Sequence, residues 1–104
     1  MSYKSSNFRS KKLLDSFRYA PNCFSCGKFN DGTVVAAHAN GHEYGKGMGL
    51  KAHDWAVAGL CHVCHSEIDQ GLKLSGEERE AKWHAAWLAT LEYLFMAGIV
   101  KVGK

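Results

Sequence analysis

Nowhere does the chain approach the roughly 20 consecutive apolar residues of a membrane span, and its first residues lack the apolar core of a secretory signal. The expectation is a cytoplasmic protein with no membrane partner. Internal repeats and low-complexity tracts are absent, and 104 residues suffice for one small domain. Proline is nearly missing: Pro21 stands alone. It stops a short helical turn expected over Lys12–Tyr19. Acidic residues are scarce at the start, where Asp15 is the lone counterweight to Lys4, Arg9, Lys11, Lys12 and Arg18. Such a basic arm suits a polyanion binder or a solubilising tail. Residues 1–20 are read as a basic, partly mobile arm, and 21–104 as the folded unit.

Small domains bury little apolar surface, so a metal staple is a natural aid. The chain has 4 cysteines, in two Cys-x-x-Cys pairs, Cys23/Cys26 and Cys61/Cys64. Both thiolates of such a turn can point at one ion, and two turns complete a tetrahedral Zn²⁺ site. The gap between the pairs exceeds that of ordinary zinc fingers and leaves room for a hairpin. A closed four-sulfur site has no open position, so this zinc is structural. Redox chemistry by one pair would need a thioredoxin-like βαβ pattern, which the sequence lacks.

Between the pairs, Thr33–Ala37 is a β-branched run read as a strand ending at His38, and Trp55–Leu60 as its antiparallel partner. Gly41, Gly45, Gly47 and Gly49 make the intervening stretch a loop. No Walker pattern is present, which argues against a nucleotide-binding loop. A helix of about two turns is expected over Cys61–Asp69. Ser75 and Glu78 form a capping box for a further amphipathic helix, whose stripe Trp83, Trp87, Leu91, Leu94 and Phe95 is read as core. Gly98 ends it, and Ile99–Val102 is expected as a closing strand. The fold class is α+β.

All but one of the 6 histidines, His38, His42, His53, His62 and His65, lie in this central stretch. His65 directly follows Cys64, so on a helix it points about 100° away from the thiolate. His62 and Asp69 share its helical face. His38, at the strand end, is expected to meet His65 across the hairpin. Two such imidazoles can hold a hydrolytic metal with a base beside it. His62 and His84 read as surface or structural residues.

The run Leu60-Cys61-His62-Val63-Cys64-His65, after a strand ending in His38 and a Cys-x-x-Cys knuckle, resembles the HNH endonucleases of the ββα-metal fold. More narrowly, Ala37-His38, the glycine loop with Gly47–Asp54 and the Cys61–His65 run are similar to two groups. One is the small prophage-encoded HNH-type nucleases. The other is the nuclease domain of the phage recombination-enhancement protein, which cuts DNA at joints made by RecA. The resemblance implies a ββα-metal hairpin–helix module, with a C-terminal helix added and a zinc knuckle clipping it shut.

It further implies hydrolysis of DNA phosphodiesters in a bacterial host, with a RecA-type recombinase as a possible partner. His38 then matches the general base and His65 a ligand of a catalytic Mg²⁺ or Mn²⁺, or of Zn²⁺. The middle asparagine has no clean counterpart. Asp54 lies in its region, as a brace or a metal ligand, and His53, His42 and Asp69 are further ligand candidates. Ala37 stands where many members carry an acidic ligand. Arg9, Lys11, Lys12, Arg18, Lys46 and Lys51 are candidate phosphate contacts, which position DNA without reading its sequence. The competing expectation is a non-catalytic zinc module that binds nucleic acid or a recombination partner.

Overall fold

The structure is a computed structural model and describes residues 8–40, 51–70 and 73–101. The elements are α1 (Lys11–Asp15), a 3-10 turn (Ser16–Tyr19), β1 (Val35–His38), β2 (Val57–Leu60), α2 (His62–Gln70) and α3 (Gly76–Met96). The chain is thus a small α+β unit around one antiparallel strand pair. Among the described residues no helix is long and apolar enough to cross a membrane.

The register sets Val35 opposite Leu60, Ala36 opposite Gly59, Ala37 opposite Ala58 and His38 opposite Val57. Because side chains alternate along a strand, the pair has two distinct faces. Ala37, Ala58 and Leu60 join a core cluster with Cys61, Cys64 and Ile68 on the α2 side, closed by Trp83 and Ala86 of α3. Ala36 and Val57 join a second cluster with Phe17 and Leu94, onto which Leu13 and Leu14 pack. His38, two residues from Ala36 and opposite Val57, belongs to that second face.

The outer edge of β2 is covered rather than left open. Thr90 Oγ1 accepts from the Gly59 amide at 3.0 Å, and the Phe24 amide donates to the Gly59 carbonyl at 2.9 Å. Both contacts satisfy groups that would otherwise template aggregation. The knuckle ring packs so closely that a methyl group on Gly59 would lie 2.8 Å from Phe24 Cδ2 and 3.0 Å from the Phe17 ring. Only hydrogen fits there.

α3 begins as its capping box predicts, with the Glu78 amide on Ser75 Oγ at 3.1 Å and the Ser75 amide on Glu78 Oε1 at 2.8 Å. Its end differs from expectation. Gly98 takes φ 75°, and the amides of Ile99 and Val100 return to the Leu94 carbonyl at 2.9 and 3.0 Å. These residues close the helix in a Schellman turn, and 99–101 form no strand. The buried face uses Trp83, Ala86, Thr90 and Leu94. Phe95, expected in the core, is one residue and so about 100° beyond Leu94 and is exposed.

The N-terminal arm also differs. From Phe8 onward it is part of the fold: Phe8 O accepts from the Asp54 amide at 2.9 Å, and Phe17 is buried. The sequence lacked apolar periodicity there because the attachment is by hydrogen bonds at long range. Residues 1–7 of the expected arm lie outside the described residues.

Candidate functional site

Each cysteine pair is shaped by its backbone. Gly27 adopts φ 80° and returns its amide to the Cys23 carbonyl at 3.1 Å, turning the chain beneath the first pair. Cys61 immediately precedes α2 and Cys64 sits in its first turn. The Sγ atoms of Cys23, Cys26, Cys61 and Cys64 all lie within 4.8 Å of one another, with Cys26 and Cys61 sulfurs 3.9 Å apart. A tetrahedral ion with metal–sulfur bonds of about 2.3 Å places its sulfurs roughly 3.8 Å apart. The four thiols therefore fit such an ion.

Their protonation points the same way. Burial opposes ionisation of Cys23, yet backbone hydrogen bonds from Cys26, Cys61 and Ser25 outweigh it and bring the thiol down to about 6. Burial pushes the Cys64 thiol up, to about 12, and the neighbouring Cys23 thiolate adds to the effect. Four sulfurs this close cannot all ionise without a cation among them, and a divalent ion would displace the remaining protons. The group is a candidate metal centre made of four thiols, with Lys28 near enough to feel the charge of Cys26 and Cys61.

The second cluster is built differently. The register that sets His38 opposite Val57 brings its ring beside the turn in which the Ala56 amide returns to the His53 carbonyl at 2.9 Å. Asp54 occupies that turn and is only 2% exposed. His38 Nε2 lies 2.8 Å from Asp54 Oδ1, which also accepts from Arg9 Nη1 at 3.1 Å. Oδ2 accepts from the Ser10 amide at 2.7 Å. Burial alone would raise this carboxyl; hydrogen bonds from His38 and Ser10 and the charge of Arg9 hold it below the usual carboxylate range. An ionised carboxylate only accepts, so the proton of neutral His38 sits on Nε2 and its lone pair on Nδ1. The arrangement is a buried carboxylate–imidazole dyad.

Arg9, expected as a phosphate contact, keeps a side chain 43% exposed but aims its guanidinium at Asp54. Besides Asp54, its guanidinium reaches the carbonyls of Ala52 at 2.6 Å, Lys51 at 3.0 Å and Phe8 at 3.3 Å. Nη1 and Nη2 both bond within the fold, and the buried carboxylate gains the counter-charge it requires. Lys11 pairs with Asp15 at 2.9 Å on the surface of α1. Lys12, Arg18 and Lys51 are exposed. Lys46 lies outside the described residues.

His38 and His65 do not share a cluster. His65 Nε2 bonds Asp69 Oδ2 at 2.9 Å, one turn along α2, whereas His38 bonds Asp54 on the other face of the strand pair. Asp54 has both oxygens occupied by donors, which suits a brace and leaves poor geometry for a metal ligand. His53 Nδ1 accepts from the Phe8 amide at 2.9 Å and the ring stacks on Trp55, centroids 5.2 Å apart. His42 lies outside the described residues. His62 and His84 are exposed. Among the described residues the four cysteines are the one group of three or more donors close enough to hold an ion. Among the described residues, His38, His53, Asp54, His65 and Asp69 form no such group.

Two parts of the dyad escaped the sequence reading: the Arg9 anchor and the Ser10 amide. Only the density of basic residues around Arg9 marked that segment, and it pointed to solvent rather than to Asp54. Comparison of the chain with family models, characterised proteins and solved structures gives no match.

Proposed function

We propose that the chain is a DNA endonuclease of the HNH type, with His38 as general base, Asp54 as its positioning residue and Zn²⁺ among the four cysteines as the staple. The observation that carries this reading is the His38–Asp54 dyad, whose carboxylate is itself held by Arg9 and Ser10. A braced imidazole that donates from Nε2 to Asp54 has its lone pair on Nδ1, from which it can take a proton from water. The attacking hydroxide would then displace the 3′ oxygen and leave 5′-phosphate and 3′-hydroxyl ends. Asp54 stabilises the imidazolium formed on His38 and fixes its ring. Exposed Lys12, Arg18 and Lys51 are candidate phosphate contacts, so binding should fall steeply with salt.

The resemblance also implies a divalent ion, which would stabilise charge on the leaving oxygen. His65 with Asp69 supplies at most two donors. The direct test is nicking of supercoiled plasmid by the zinc-loaded protein across Mg²⁺, Mn²⁺ and added Zn²⁺. Cutting with at least one ion is expected. Binding without cutting on supercoiled, linear and branched DNA would overturn the enzyme reading.

A second reading, a non-catalytic zinc module that binds nucleic acid or a recombination partner, is favoured by one observation. The described residues form no metal group besides the cysteines. It requires DNA affinity and cellular activity to be unchanged in a His38→Ala, His65→Ala double variant.

A further inference from the structure

α3 has a second apolar stripe, on the side facing away from the sheet. Ala81, Ala85, Leu88 and Phe95 are exposed, as is the single charged residue among them, Glu92. Their intervals of four, three, four and three residues are those of a coiled-coil seam. The buried face, Trp83, Ala86, Thr90 and Leu94, lies on the opposite side of the helix. Leu88 is 53% exposed, Phe95 55% and Met96 81%. Such exposure of large apolar groups along one helix calls for a partner.

The stripe is complementary to itself. Leu88 is its midpoint, with Ala81 and Phe95 each seven residues away. If two such helices run antiparallel about a two-fold axis at Leu88, Ala81 of each copy faces Phe95 of the other, small against large. Glu80 then lies beside Met96 of the second copy. Around Ala81 the surface forms a shallow groove of ≈ 480 Å³ lined by Glu77, Glu80, Ala81, His84, Ala85 and Leu88. Phe95 and Met96 of the second copy are the residues this register delivers into it. The same register sets His84 opposite Glu92, giving the one charged residue of the seam a polar partner. A parallel pairing would oppose Glu92 to Glu92 and Phe95 to Phe95.

We infer that this face of α3 is where two copies of the chain pair, as an antiparallel helix dimer centred on Leu88. The pairing uses neither the cysteines nor the His38–Asp54 dyad, and so stands or falls apart from the nuclease reading.

Sedimentation and light scattering on the full, zinc-loaded chain read it directly. A concentration-dependent dimer is expected for the wild type. Leu88→Glu sets two like charges at the axis and should give folded monomer with its zinc content unchanged, melting at the same temperature at every concentration. Glu92→Lys should weaken the dimer by about tenfold. His84→Glu added to Glu92→Lys should restore it, since the exchanged charges meet again only in the antiparallel register. A wild type that stays monomeric at every concentration, or a dimer that survives Leu88→Glu, overturns the inference. Failure of the double variant to recover overturns the register.

Discussion

The cysteine group and the His38–Asp54 dyad are both small polar clusters set in apolar surroundings, and they solve the problem of charge in opposite ways. Four sulfurs converge, one thiol drawn down to about 6 and another pushed up to about 12. A bound divalent ion would balance charge there. At the dyad every carboxylate lone pair that matters is met from within, by Arg9, Ser10 and His38. One cluster could take up an ion; the other is closed by partners within the chain. Closeness of donors alone does not make a metal site, because donors already paired with each other have little left to give.

Removing the ion should therefore have the largest effect. One zinc per chain is expected by elemental analysis. A strong chelator, or Cys61→Ala, should abolish the cooperative thermal transition, since such ions contribute on the order of 10 kcal/mol, as much as a small domain's whole stability. A chelated protein that melts as before would remove the contrast between the two clusters.

Next comes Asp54→Asn, expected to cost about 2–4 kcal/mol at neutral pH because Arg9 and the Ser10 amide lose their ionised acceptor. The sign with pH follows from the depressed carboxyl. Its contribution is present above the ordinary aspartate value of about 4 and is lost as pH falls through the lower folded value. Urea unfolding at stepped pH should show wild type and variant converging on acidification. A gap that stays constant would contradict the ionised brace. The smallest stability effect is Gly59→Ala, about 1–3 kcal/mol from crowding against Phe24 and Phe17. It should lower the melting temperature with zinc content retained, which separates packing of the knuckle from ligation.

The cysteines were legible in the sequence because two spaced pairs state their own geometry, and the hairpin and α3 were legible from β-branched residues and the Ser75–Glu78 box. The dyad was half legible. His38 at a strand end pointed to function, but the contact that holds its partner links Arg9 to Asp54 across a separation of 45 residues. No local pattern encodes such a contact, and a basic residue near the start of a chain reads as a solvated arm. His65 illustrates the converse. Its neighbours in sequence suggested a shared site with His38, yet strand alternation and its own pairing with Asp69 set the two apart. Phe95 was assigned to the core by spacing alone, although the helix reserves its other face for a different stripe.

The proposed chemistry rests on the braced imidazole, and plasmid nicking by His38→Ala probes it most directly, on protein shown to keep its zinc and its melting temperature. Loss of a positioned base should slow cleavage by about 10²–10⁴-fold while DNA affinity stays within a factor of a few. A His38→Ala protein that nicks at the wild-type rate would contradict the account.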